Sequence, residues 1–139
     1  MNISKEAAMA AAQWWGNKVH SNTVHRNGDD SPVGGMATIL AGLLNEPVSE
    51  EVHDKFVDIL TKKILEADRI TSWDLDCDYG PSAFLAEAAK EAGISPHNFP
   101  WKTTMYILDG IDGGVEISVR DGYQAPRVTI YSEEAKKED

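Results

Sequence analysis

WDLDCDYGPSAFLAEAAKEAGISPHNFPWKTTMYIL, residues 73–108, is the stretch on which the fold turns. It starts with strict alternation: Trp73, Leu75, Cys77 and Tyr79 interleave with Asp74, Asp76 and Asp78. That period of two predicts a half-buried strand, with the three aspartates on its open face. Gly80-Pro81 ends the alternation and opens a helix whose apolar face is Phe84, Leu85, Ala88, Ala89 and Ala92. Gly93 suits the left-handed residue that closes such a helix. After Pro96 and Pro100 a second strand is expected over 101–108. In it Trp101, Thr103, Met105 and Ile107 would pack beneath the helices, while Lys102 would reach outward.

Upstream of this stretch the pattern is helical. Ser4 is a good N-cap with Glu6 favourable in the first turn, and Ala8, Ala11, Ala12, Trp15 and Val19 recur at helical spacing. Trp14 lies about 100° from Trp15 around that helix, so one ring is core and the other belongs to a rim, cleft or interface. Residues 20–30 read as a polar loop with an Asn-Gly turn. Ser31-Pro32 opens a helix with the face Met36, Ile39, Leu40, Leu43 and Leu44. Ser49 opens another, carrying Val52, Phe56, Ile59, Leu60 and Ile64.

Downstream the pattern is strand. A turn rich in Asp and Gly over 109–114 leads to a strand over 115–120. Asp121-Gly122-Tyr123 then turns into a strand over 127–131. The class is therefore α+β, with the N-terminal helices and one central helix on one face of a small antiparallel sheet of three to four strands. Residues 1–131 form one expected domain and 132–139 a flexible charged tail.

At 139 residues and 42% hydrophobic the chain is able to bury a core. Thirteen basic against 23 acidic residues give a net charge of −10. Such a chain is repelled by nucleic acid and anionic lipid, and drawn to the basic surfaces of other proteins. No apolar run reaches the ~18 residues of a membrane span, and Glu6 interrupts what would be the basic start of a signal peptide. The lone Cys77 permits no internal disulfide and fits a reducing compartment. These features together read as a cytoplasmic protein.

No motif specifies a reaction. HExxH, paired CxxC, GxSxG, Walker and GxGxxG patterns are all missing, so no catalytic residue, metal or cofactor is expected. Asp74-x-Asp76-x-Asp78 fails as a calcium loop, because Tyr79 and Leu85 stand where Gly and a bidentate Glu are needed. The ladder is read instead as a row of carboxylates able to stand in for phosphates. A second set comprises Trp14, Trp15, Lys18, Tyr79, Trp101, Lys102, Asp121 and Tyr123. Aromatics beside charges at helix faces and turns suit a planar ligand or a partner's arginine, although they equally fill a helix–sheet seam.

The succession WW-x-x-K, NGDD, DYGP, FPWKTTM and DGYQAP resembles a family of small proteins from phages and mobile elements of Gram-positive gut bacteria. The resemblance implies a counter-defence role of the anti-CRISPR kind and carries over no catalytic residues. Two functional expectations follow. One is a non-enzymatic inhibitor that occupies the basic, nucleic-acid-binding surface of a host defence effector. The other is a pocket protein that sequesters a small nucleotide by Trp stacking and lysine contacts. Neither binds nucleic acid directly or enters a membrane.

Overall fold

Ser4 opens the first helix: its Oγ accepts the Ala7 N–H at 3.0 Å, satisfying one of the donors that a helix start leaves orphaned. That helix, α1, is Lys5–His20 in a computed structural model that describes residues 3–20, 47–109 and 114–133. Helix α2, Glu50–Glu66, starts in the same manner, with Ser49 Oγ accepting from Val52 N at 3.2 Å. Helix α3 is Ala83–Ala92, and a short 3-10 turn at Pro96–Asn98 follows it. The strands are β1, Asp76–Cys77; β2, Thr103–Asp109; β3, Val115–Asp121; and β4, Arg127–Glu133. They pair antiparallel in the order β1-β2-β3-β4, so the α+β class stands. The helix expected over 31–45 lies outside the described residues.

Packing explains the alanine-rich start. Ala7, Ala8, Ala11 and Ala12 are fully buried, because α1 packs against α2 and also meets β3 and β4. Small side chains allow that close approach, and Trp15 and Val19 fill what remains. Trp15 meets Phe99 with ring centroids 6.0 Å apart, and Phe99 meets Phe56 at 6.0 Å. From the sheet, Met105, Ile117 and Val119 complete the core. On the opposite face of the sheet the Arg127 guanidinium lies 5.3 Å from the Tyr106 ring centre.

Gly93 closes α3 at φ 87°, its N–H reaching back to Ala89 O and Lys90 O. A Cβ there would meet open space, so the expected cost of Gly93→Ala comes from the left-handed backbone alone, about 1 kcal/mol. Urea denaturation checks this, and an unchanged midpoint would remove the glycine cap from the account.

Four sequence expectations need correction. The strand expected over 73–79 shrinks to Asp76–Cys77. Asp74 turns back: its carboxylate accepts from Thr71 N at 2.9 Å and its own N–H donates to Thr71 O at 3.0 Å. This local side-chain bond outcompetes the extended chain and leaves Trp73 82% exposed, so only Leu75 and Cys77 of the apolar set point inward. Helix α3 opens at Ser82 and not at Gly80-Pro81. Ser82 Oγ caps Leu85 N and donates to Asp74 O at 2.5 Å. Strand β2 begins at Thr103 because Lys102 takes φ 56°, which breaks the alternation before Trp101 can join it. Trp101 is thus half-buried and is not the core indole, a place that Trp15 holds. Finally, Ser132 and Glu133 belong to β4 and not to a tail. Glu133 accepts from Ser4 Oγ at 2.8 Å and from Tyr131 Oη at 2.6 Å, joining that end of the strand to the start of α1.

Candidate functional site

The paired tryptophans separate as their helical angle demands. Trp15 is fully buried, while Trp14 stands half-exposed at the rim and meets the Trp15 ring edge-on, centroids 5.1 Å apart. Beneath Trp14 lies a groove of about 300 Å3 between α1 and the β3–β4 ribbon. Val119, Val128 and Ile130 line it from the strands, and Ala125 and Pro126 come from the turn before β4. A register shift between Ile117 and Ser118 adds a residue to β4 here. Such a bulge re-aims side chains and bends the strand, and both Val128 and Ile130 reach the groove.

The groove carries a polar group, Asp121, the last residue of β3. Lys18, one turn after Trp14, puts its Nζ 2.6 Å from Asp121 Oδ2 and 5.2 Å from the Trp14 ring centre. Thr103 Oγ1 lies 3.3 Å from Asp121 Oδ1 as its donor. Both charged side chains of the pair stay about a third exposed, so the ion pair is worth little in stability, about 0–1 kcal/mol, and is easily exchanged.

Across Thr103 sits a second cluster. The Tyr79 and Trp101 rings meet edge-on at 5.2 Å, and Lys102 Nζ lies 4.4 Å from the Tyr79 ring centre while pairing with Asp78. Lys102 is held in its left-handed conformation from both sides. Its N–H donates to Asp78 O at 2.9 Å, and its carbonyl accepts from Gly122 N at 3.0 Å. The hydrogen bond to Asp78 raises the pKa of Lys102 above the ordinary lysine value. A raised pKa contributes stability below the unfolded value and loses it as pH climbs through the folded one. The raised Lys102 pKa therefore keeps this lysine charged through neutral pH, and its contribution is lost as the solution becomes strongly alkaline.

The sheet thus gathers seven of the sequence-predicted residues at one end: Trp14, Lys18, Asp78, Tyr79, Trp101, Lys102 and Asp121. Tyr123, about half-exposed in the turn after β3, is near them in sequence and lies at the same end. Trp15 is withdrawn into the core. The three aspartates of the ladder make three different contacts. Asp74 caps the Thr71 turn, Asp76 accepts from Thr104 Oγ1 at 2.5 Å, and Asp78 holds Lys102. Each carboxylate thus has an internal partner.

Sequence reasoning missed Val119, Ala125, Pro126, Val128 and Ile130. Alternation in 127–131 marks Val128 and Ile130 as neighbours on one face, yet nothing local says that α1 crosses them. Among the described residues no three His, Cys, Asp or Glu side chains converge as metal ligands would. Burial pushes the Cys77 thiol far up, and Asp76 and Asp78 add to the shift. Only the thiolate reacts, so iodoacetamide at mildly alkaline pH should modify native Cys77 at least about 100-fold more slowly than the unfolded chain. That factor corresponds to an opening cost of ~2.8 kcal/mol. Equal rates in the two states would place the thiol outside the core.

Comparison with protein-family models, with curated proteins and with solved structures finds no match to this chain.

Proposed function

We propose that this chain is a non-enzymatic binding protein of the counter-defence kind, and that its groove at the α1–β4 edge engages a basic, nucleic-acid-binding protein. One observation carries the reading: a half-open apolar groove with an exchangeable carboxylate, Asp121, on a chain of net charge −10. Its apolar lining offers an anchor for a partner side chain. The overall charge steers basic partners toward it and supplies specificity more than affinity. The carboxylates of Asp74, Asp76 and Asp78 add to this long-range charge.

Immobilised chain offered bacterial lysate tests this reading. The expected catch is enriched in basic nucleic-acid-binding proteins at low salt and lost steeply as salt rises. Capture that ignores salt, or the absence of any catch at low salt, contradicts it.

A second reading takes the groove as the seat of a small planar nucleotide. Its volume reaches the lower range of small-molecule pockets, ~300 Å3, and Trp14 forms part of its lining. Against an anion stand the charge of −10 and the Asp121 carboxylate already on Lys18. Thermal shift with a panel of cyclic nucleotides separates the two, since a ligand at 100 times its Kd adds about 2.7 kcal/mol.

A further inference from the structure

Lys18 lies at the groove as a foreign cation would. Its ammonium is near the Trp14 ring, 5.2 Å from the centroid, and meets Asp121 Oδ2 at 2.6 Å. A ring and a carboxylate held together in this way make a cation seat, and a lysine of the chain's own fills it. We infer that the groove takes an arginine-bearing apolar segment of the basic partner, and that Lys18 is the resident competitor for the arginine's place. The inference rests on the groove being the binding site.

Chemistry favours arginine over the resident lysine. A guanidinium is planar, stacks on an indole and meets a carboxylate with two parallel N–H donors, whereas an ammonium is a point charge that hydrates strongly. Asp121 Oδ2 is the oxygen Lys18 now holds, and Oδ1, 3.3 Å from a Thr103 hydroxyl that also faces Trp101 O at 3.1 Å, keeps acceptor capacity for the second guanidinium N–H. Beside this seat Val119, Val128 and Ile130 form an apolar strip. Val128 is 57% exposed, and aliphatic residues flanking the arginine would cover it. An anion meets the opposite situation, because it must separate Lys18 from Asp121 and then face the bared carboxylate.

The test follows the Trp14 indole N–H in the full chain carrying 15N-tryptophan. The probe is acetyl-Leu-Arg-Leu-amide, with the citrulline peptide as its neutral isostere. The arginine peptide is expected to shift the Trp14 resonance saturably and the citrulline peptide to leave it in place. Lys18→Met, which removes the competitor, should tighten arginine binding about 3- to 10-fold, the worth of one exposed cation–π contact plus one surface ion pair. Asp121→Asn should weaken it at least about tenfold. Well-dispersed spectra confirm that each variant is folded. Weaker or unchanged binding by Lys18→Met overturns the inference, as does equal binding of the citrulline peptide. If the peptides leave Trp14 unmoved while a protein captured from lysate shifts it, the groove remains the site and the arginine assignment falls. If neither shifts it, both fall.

Discussion

Trp15→Ala lowers the stability of this protein by about 3–5 kcal/mol, the usual cost of emptying the place of a large core aromatic. Trp15 is the largest fully buried side chain among the described residues. It packs on Phe99, which packs on Phe56 of α2, and it supports the Trp14 ring edge-on. Alanine would leave a cavity bounded by α1, α2 and the segment that leads into β2, and three elements held by their other contacts cannot all collapse into it. Trp15 Nε1 is buried without a hydrogen-bond partner among the described residues, and an orphaned donor is a standing cost of about 1–3 kcal/mol. Trp15→Phe should therefore cost clearly less than Trp15→Ala, because it removes the orphan while keeping a ring. Chemical denaturation of the three proteins decides the matter. A Trp15→Ala protein as stable as the parent would mean that the core is not built around this ring.

Gly16→Ala sets local preference against packing. In a helix interior alanine is better than glycine by about 1 kcal/mol, so propensity alone predicts a gain. At Gly16, however, a Cβ would stand 2.6 Å from Val57 Cγ2 and 3.1 Å from His53 Nε2. The valine methyl is fixed on a branched carbon of α2 and cannot swing aside cheaply. Overpacking of this kind costs typically 1–3 kcal/mol. Here it also presses on the His53 ring, whose Nε2 lies 3.0 Å from Asn17 Oδ1 across the same helix pair. The net expectation is a loss of about 1–2 kcal/mol, read as a lower denaturation midpoint. A gain would show that α1 and α2 stand further apart than described.

Both predictions depend on how closely α1 lies against α2, a distance that no local pattern fixes. Helix-by-helix reading succeeded where the signal was local. Ser4 and Ser49 as caps, Gly93 as the left-handed closer and the apolar stripe of α2 all follow from residues within one or two turns. The separation of Trp14 from Trp15 followed from the 100° step of the helix. Reading failed where other hydrogen bonds competed with the strand for the backbone. Asp74 looked like one rung of a strand, and its bond to Thr71 N turned it into a corner. Lys102 looked like an ordinary strand residue, and two backbone hydrogen bonds hold it at φ 56°. The Asp74 bond spans only three residues, but the two at Lys102 are not visible without knowing which segments meet.

The site was legible as a set of residue types and not as a place. Aromatics, lysines and Asp121 stood out as candidates, and the fold draws most of them to one end of the sheet. The aspartate ladder was over-read, because alternation on paper assumed a strand long enough to display it. The groove itself needs α1 to cross the bulged β4. That arrangement depends on the bulge opposite Ile117 and Ser118, which no motif announces.

The central claim is that binding resides at the Trp14–Asp121 groove and not on the aspartate row. The most direct measurement compares two folded proteins in the same lysate capture: Trp14→Ala/Asp121→Asn, and Asp74→Asn/Asp76→Asn/Asp78→Asn. The account predicts that the groove variant loses the salt-sensitive catch while the aspartate variant keeps it, weakened only as the smaller net charge requires. Retention by the groove variant together with loss by the aspartate variant would contradict it, and would return the function to the acidic row.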